Sequence, residues 1–170
     1  MKNSLVVYVE PSRKGYPGHM VVGQEGDMDD PKYFGFRYDA AKLPSDSAVE
    51  RTRLRYLAAN AVSGGIIDEL AYVDRLLAAG TNAYREMRVE FTGDIEDALP
   101  KPQEWWTFAR YSFNPDNFHS LESPCYNCVT WAISTANLLV ESFLPTVYQG
   151  RIGTIYDYLG TPGVRPRENS

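Results

Sequence analysis

Residues 123–132 read SPCYNCVTWA, and this stretch predicts the start of a helix that carries a cysteine. Asn127 is a good N-cap residue, because its side chain can accept a hydrogen bond from an N–H group of the first turn. Cys128 then takes the first helical position, where free N–H groups and the helix dipole favour a thiolate. We expect this helix to run from Val129 to Leu144 and to end before Pro145. The stretch therefore predicts a nucleophilic thiol on a helix that packs against a sheet.

A thiolate nucleophile usually needs a base that can also protonate the leaving group, and histidine titrates in the right range. The chain has only two histidines. His19 opens an apolar strand directly after the Pro17-Gly18 turn, from which an imidazole can project over a sheet edge. His119 lies in a polar, loop-like stretch and suits the rim of a site. On position alone, His19 is the predicted base for Cys128.

Three apolar or alternating runs early in the chain predict strands, at residues 5–9, 19–24 and 33–38. The second and third runs should form a hairpin across the turn between them, so that the start of one lies opposite the end of the other. That pairing would bring Tyr38 or Asp39 beside His19. Asp39 is our first candidate for the group that orients the imidazole, and Gln24 is the second.

The spacing of apolar residues becomes helical between residues 45 and 80. Residues 45–47 offer an N-cap for a helix that Gly64-Gly65 ends, and a second helix should run from Ile66 to Leu77. Strands are predicted again at residues 84–91 and 106–113, and the tail beyond Gly163 should be flexible. The pattern predicts one α+β domain that spans residues 1–170.

Composition and charge argue against several classes of protein. Hydrophobic residues make up 44% of the chain and charged residues 23%, which is typical of a globular domain. The net charge of -5, without a basic patch, argues against a nucleic-acid partner. The apolar run near the N-terminus is far shorter than a signal-peptide core or a membrane span. We therefore expect a protein made in the cytosol that could leave it only through a specialised secretion system.

The order of these motifs resembles a known superfamily. The segments GHMVV around His19, YFGFRYD at residues 33–39 and YNCVTWA around Cys128 follow one another as in the circularly permuted papain-like cysteine hydrolases. These are relatives of the NlpC-type, PPPDE and lecithin:retinol acyltransferase families, in which a histidine strand precedes an Asn-Cys that leads a helix. The resemblance implies an antiparallel sheet packed against the cysteine helix, with residues 45–80 as a helical insertion.

The resemblance also implies a function. Members of these families cleave or transfer acyl groups, and many bacterial members are secreted effectors or toxins. We therefore expect a thiol hydrolase or acyltransferase that acts without a cofactor on a peptide, amide or ester bond of a protein, peptide or acyl substrate. Cys128 would be the nucleophile and His19 the base, with Asp39 or Gln24 orienting the base. Backbone N–H groups at the helix start beside Asn127 would help to form the oxyanion site.

Plainer interpretations remain open from the sequence. Cys128 could be a small buried core residue, because free cysteine is among the most buried residue types. The chain could then be a binding module of the same fold whose Cys-His pair is unused. Alternatively, Cys125 and Cys128 could bind structural zinc together with His119 and His19.

Overall fold

The structure is a computed structural model that describes residues 3–13, 16–26, 30–40, 43, 50–99, 109–118, 124–146 and 152–159. Within these ranges it contains seven strands and four α-helices, which confirms the α+β class. Several predictions lie outside the described residues: the N-cap at residues 45–47, residues 106–108 of a predicted strand, His119, and the tail beyond Gly163.

The seven strands form a single sheet in the order β5-β1-β2-β3-β4-β6-β7. The neighbours from β5 to β6 pair antiparallel, and the two short strands β6 and β7 pair parallel. The predicted hairpin of β2 and β3 is confirmed, with Val22 opposite Phe34 and Gln24 opposite Lys32. The strands are β1 (Asn3–Glu10), β2 (His19–Gly26), β3 (Lys32–Tyr38), β4 (Val62–Asp68), β5 (Arg85–Phe91), β6 (Arg110–Tyr111) and β7 (Cys125–Tyr126).

The alternation of apolar residues along the central strands buries both faces of the sheet. On one face, Leu5, Val7 and Val9 of β1 join the main core, which includes the helix that Cys128 begins. On the other face, Val6 and Tyr8 pack in a smaller cluster with a second helix. The helices are α1 (Glu50–Ala59), α2 (Leu70–Ala78), α3 (Cys128–Leu139) and α4 (Ile152–Leu159). Helix α3 contacts β2 and β3, so the cysteine lies over the middle of the sheet.

The segment predicted to be wholly helical between residues 45 and 80 contains a strand, so this prediction was wrong in part. Strand β4 includes Gly64-Gly65 and pairs with β3, and α2 begins only at Leu70. A Cβ on Gly64 would lie 2.5 Å from the Phe36 ring, so the glycine permits close packing within the sheet. Ile66 is buried in β4, where its β-branched side chain suits a strand.

Helix α3 ends at Leu139, five residues before the predicted end at Leu144. Ser142 adopts a positive φ of 59°, and the Asn137 side chain both donates to the Leu144 carbonyl and accepts from its N–H group at 2.8 Å. The side chain of Asn137 thus holds the chain that turns back beyond the helix end.

Candidate active site

Cys128 is the first residue of α3, and Asn127 is its N-cap, as the sequence predicted. The Asn127 Oδ1 atom accepts a hydrogen bond from the Thr130 N–H at 2.8 Å. In return, the Thr130 hydroxyl accepts from the Asn127 N–H at 2.9 Å, which completes a capping box. This cap sets where the helix starts and therefore where the thiol lies.

His19 is the first residue of β2 and is 5% exposed. The preceding Gly18 has a φ of 82°, and a Cβ there would lie 2.7 Å from the Glu10 carbonyl oxygen. Only glycine adopts this conformation in so little space. The turn places the His19 ring beside Cys128, and the interaction of the two side chains raises the pKa of the imidazole and lowers that of the thiol. The structure therefore brings together the two residues that the sequence predicted as a pair.

Glu69 contacts the other side of the imidazole. Its Oε2 atom lies 3.2 Å from His19 Nε2, and the residue is 2% exposed. Because Nε2 faces the carboxylate, the ring nitrogen left for Cys128 is Nδ1. Arg37 binds the same carboxylate through two hydrogen bonds, from Nε to Oε1 at 2.5 Å and from Nη2 to Oε2 at 2.8 Å. Hydrogen bonds thus connect His19, Glu69 and Arg37, and Cys128 interacts with the same imidazole.

The sequence did not identify Glu69, and it placed Asp39 or Gln24 in the orienting role. Gln24 lies at the far end of β2, where its amide donates to the Gly93 carbonyl at 3.0 Å and accepts from the Ile95 N–H at 2.8 Å. Asp39 follows β3, and its backbone N–H donates to the Ser63 carbonyl.

The register of the hairpin explains the difference. Gln24 pairs with Lys32, and continuing that register by five residues places Arg37 opposite His19. The residue beside the histidine on β3 is therefore a cation. It binds Glu69, which reaches the ring from the junction of β4 and α2. A pairing of β2 with β3 whose register was shifted by two residues would have brought Asp39 to that position.

Glycine at position 35 leaves room for this contact. A Cβ on Gly35 would lie 2.9 Å from His19 Nε2 and 3.1 Å from Glu69 Cδ. Tyr72 encloses the pair from another side, because its ring packs edge-on against the His19 ring at 5.1 Å and beneath the Arg37 guanidinium at 5.2 Å. The imidazole and the carboxylate therefore lie between the backbone of Gly35 and the ring of Tyr72.

The surroundings of Cys128 and His19 favour the charged form of each. Burial by itself raises the pKa of the Cys128 thiol, but the hydrogen bond and charge of His19, the Met20 N–H and the Tyr111 hydroxyl outweigh it, so the thiol pKa is lowered. Burial lowers the pKa of His19, but its hydrogen bonds to Cys128 and Glu69 outweigh burial and raise the pKa above the ordinary value. These shifts favour the thiolate and the imidazolium over the neutral pair.

Glu69 and Cys125 differ from these groups in informative ways. Burial by itself raises the pKa of Glu69. The hydrogen bonds and charges of Arg37 and His19 lower it by more, so the pKa is below its ordinary value and the buried carboxyl is ionised at neutral pH. Cys125 lies three residues before the nucleophile position, yet burial raises its pKa to about 11. Only one of the two cysteines is in surroundings that activate a thiol.

Tyr111 is a second residue that the sequence did not single out. It is buried on β6, and its ring stacks on Phe36 with centroids 5.8 Å apart. Its hydroxyl lies close enough to Cys128 to interact with both the thiol and the backbone of that residue. Burial and the nearby sulfur charge raise the pKa of Tyr111 well above its usual value, so the phenol keeps its proton as a donor.

Two cavities open on this group from either side. One has a volume of about 270 Å³ and includes His19, Arg37 and Tyr111 in its lining. The other, of about 130 Å³, includes Cys128, Asn127 and Tyr111. Cys128 is 6% exposed, and it is one of the residues that line the second cavity.

The zinc interpretation gains no support from the described part of the chain. Within it, no group of three or more His, Cys, Asp or Glu side chains is arranged to hold a metal ion. His119, one of the ligands that this interpretation needs, lies outside those residues. The membrane prediction was tested in the same ranges, and no helix there is long and apolar enough to cross a bilayer.

Comparison with protein-family models, with curated proteins and with solved structures gave no match. What the site can do is therefore inferred from its own geometry.

Proposed function

We propose that this protein is a thiol hydrolase or acyltransferase of the permuted papain-like type, with Cys128, His19 and Glu69 as its catalytic triad. The observation that carries the proposal is the buried chain of three neighbouring side chains in which an imidazole interacts with a thiol and is hydrogen-bonded to a carboxylate. Such a chain supplies a nucleophile, a base and a group that orients the base. A structural cysteine would not need an imidazole and a buried carboxylate aligned behind it.

The reaction proceeds in two steps. The Cys128 thiolate attacks the carbonyl carbon of a peptide, amide or ester, and His19 Nδ1 gives its proton to the leaving nitrogen or oxygen as that bond breaks. The resulting thioester is then attacked by water in a hydrolase or by an acceptor nucleophile in a transferase, and His19 takes up the proton of the attacking group. Glu69 holds the Nε2 proton throughout and stabilises the imidazolium.

The negative oxygen of the tetrahedral intermediate needs hydrogen-bond donors. The cap of α3 uses the N–H of Thr130, while the Cys128 N–H lies beside the sulfur at the helix start. The Tyr111 hydroxyl interacts with the backbone and with the thiol of Cys128. We assign the Cys128 N–H and the Tyr111 hydroxyl to the oxyanion site, where a substrate oxygen would replace the contact between them.

The architecture agrees with the proposed superfamily in three respects. The histidine strand precedes the cysteine helix in the chain, the main strands pair antiparallel, and α3 packs against β2 and β3. The segment that the resemblance marks as an insertion, residues 45–80, is not wholly helical. It includes β4, which is part of the sheet. The expected role as a secreted bacterial effector rests on the sequence resemblance alone.

The test is the pH dependence of alkylation of each cysteine by iodoacetamide, read by peptide mass spectrometry. Cys125 is an internal control, because its pKa of about 11 leaves it almost unreactive at neutral pH. We expect Cys128 to react with an apparent pKa below the ordinary value of about 8.5. In His19→Ala, that apparent pKa should rise toward or above the ordinary value. A Cys128 that titrates together with Cys125 in the wild type would refute the proposed mechanism.

A further inference from the structure

Three neighbouring cavities share lining residues beside the proposed catalytic group, and together they are called the groove here. The cavity at Cys128, of about 130 Å³, shares Pro17, Gly18 and Tyr111 with the cavity at His19, of about 270 Å³. The cavity at His19 shares Tyr16 and Arg37 with a third one, of about 430 Å³. Together they reach the size of ligand pockets, about 300–1,000 Å³. The first and third cavities share no lining residue, so the three follow one another in series, an arrangement that suits an extended chain.

The two ends of the groove differ in chemistry. At the Cys128 end, the lining includes the apolar side chains of Phe113, Val129 and Ile152. At the far end, three arginines line the third cavity, namely Arg13, Arg37 and Arg75. The apolar end suits a small or uncharged side chain, and the basic end suits a carboxylate.

The carboxylates near the basic end are already engaged. Glu10 accepts hydrogen bonds at 2.7 Å from the hydroxyls of both Tyr16 and Tyr72, and Arg13 approaches it at 3.4 Å. Glu69 is buried beneath Arg37 and is shared with the histidine. These two acids face three arginines, so the lining carries a net positive charge in a protein whose overall charge is -5.

Donors remain for a ligand at this end. Arg37 uses Nε and Nη2 for Glu69, which leaves Nη1. Arg75 is exposed in the last turn of α2 and, among the described residues, forms no ion pair. Arg13 has a side chain that is 68% exposed, a contact to Glu10 at 3.4 Å, and a guanidinium that lies over the Tyr16 ring at 4.7 Å. The guanidinium groups can therefore bind further carboxylate oxygens.

We infer that the groove binds an acidic peptide, and that this is the substrate class of the thiol chemistry. The inference rests on the proposed function for its reactive end. The peptide places an uncharged residue with the reactive carbonyl at Cys128, and its carboxylate side chains reach Arg37, Arg75 and Arg13. Charge complementarity of this kind contributes more to specificity for acidic peptides than to the strength of their binding.

The experiment uses two chloroacetyl peptides, one capping Gly-Glu-Glu-Glu-amide and the other Gly-Gln-Gln-Gln-amide. In each, the Cys128 sulfur forms a bond to the methylene carbon while chloride leaves, and the thioether is measured by intact mass spectrometry. We expect the glutamate peptide to react about fivefold faster than the glutamine peptide at low ionic strength, because two or three exposed ion pairs each contribute modestly. The ratio should fall toward one at high salt.

A matched pair of variants tests the assignment of the arginines. Arg75→Glu should abolish the preference for the glutamate peptide. Arg55→Glu changes the charge equally at an exposed position of α1 that lines none of the three cavities, and it should keep the preference. A preference that survives in Arg75→Glu, or that is lost equally in both variants, would overturn the inference.

The outcomes for wild type separate this inference from the proposed function. If iodoacetamide shows an activated Cys128 but the two peptides react at equal rates, the acidic-peptide inference fails and the proposed function stands. If Cys128 reacts slowly with iodoacetamide and with both peptides, the proposed function fails, and the inference fails with it.

Discussion

Replacing Glu69 with glutamine tests the part of the site that the structure revealed and the sequence did not. The amide keeps the size of the side chain but removes the negative charge that His19 Nε2 and Arg37 share. Without that charge the imidazolium is less stable, so the His19 pKa should fall and the Cys128 pKa should rise. The expected result is a Cys128 that alkylates more slowly at neutral pH than the wild-type residue.

The size of the effect follows from the contact that is lost. A hydrogen bond to a charged group contributes about 1.5–3 kcal/mol, and one pKa unit corresponds to about 1.36 kcal/mol. We therefore expect the apparent pKa of Cys128 to rise by about one to two units. Below that pKa, the thiolate fraction falls about tenfold for each unit, so the alkylation rate near pH 6 should fall about 10-fold to 100-fold.

The stability change should be smaller than that of a fully buried ion pair. Breaking such a pair costs about 3–5 kcal/mol, but the Arg37 side chain is 39% exposed and can turn to water. With that screening, we expect the free energy of unfolding to decrease by about 1–2 kcal/mol. For a domain of this size, the melting temperature should fall by about 2–8 °C.

The assay is iodoacetamide labelling of Cys128 across a pH series, together with thermal unfolding followed by circular dichroism. The control is Asp39→Asn, which removes one negative charge at the residue that the sequence favoured for the orienting role. We expect its labelling profile to match the wild type. If Glu69→Gln keeps the wild-type profile while Asp39→Asn shifts it, the assignment of Glu69 to the triad is refuted. Asp39 would then be the residue that orients His19, as the sequence predicted.

The remaining predictions concern the same site. Tyr111→Phe removes the hydroxyl that helps to lower the pKa of the Cys128 thiol, so the apparent pKa measured by iodoacetamide labelling should rise by up to about one unit. Gly35→Ala places a Cβ 2.9 Å from His19 Nε2, so labelling of Cys128 near pH 6 should slow, and urea unfolding should show a loss of about 1–3 kcal/mol. The lowered pKa of Glu69 contributes stability that is fully present above its ordinary pKa and is lost as the pH falls through the folded-state value. Urea unfolding between pH 3 and pH 6 should therefore depend less on pH in Glu69→Gln than in the wild type.

Each of these has a control and a contradicting result. The phenylalanine ring can still stack on Phe36, so Tyr111→Phe should fold. A variant that fails to fold would contradict the assignment of the hydroxyl to Cys128 alone. For Gly35→Ala the control is Gly153→Ala in α4, where a Cβ meets nothing within 4 Å. That control should gain about 0.5–1 kcal/mol of stability. Equal pH dependence in Glu69→Gln and wild type would show that another carboxyl dominates acid unfolding.

Local patterns in the sequence were enough to predict most of the strands and the start of the cysteine helix. The runs that predicted β1, β2, β3 and β5 are short, apolar or alternating, and bounded by turn residues. The N-cap at Asn127 is a contact between residues three positions apart, so it could be read directly from Asn127 and Thr130. These features depend on a few neighbouring residues, and the structure confirms them.

Local patterns predicted the wrong element where the spacing of apolar residues fits both a helix and a strand. The apolar residues from Ile66 onward fit a helical stripe, yet Ile66 and Ile67 lie in β4 opposite Phe36 and Gly35. A place beside β3 was available in the sheet, and packing against Phe36 decided the outcome. The same short run would satisfy either period, so only its neighbours in the fold could select the strand.

The sequence by itself determined that a capped helix begins with Cys128 and that a strand begins with His19 behind a Pro-Gly turn. The tertiary structure alone decided which carboxylate and which hydroxyl complete the site. Glu69 is fifty positions from His19 in the chain, and it reaches the ring because β4 pairs with β3 and ends beside Arg37. Tyr111 reaches the thiol because β6 pairs with β4. Strand order and register arise from long-range pairing and packing, and no local motif encodes them.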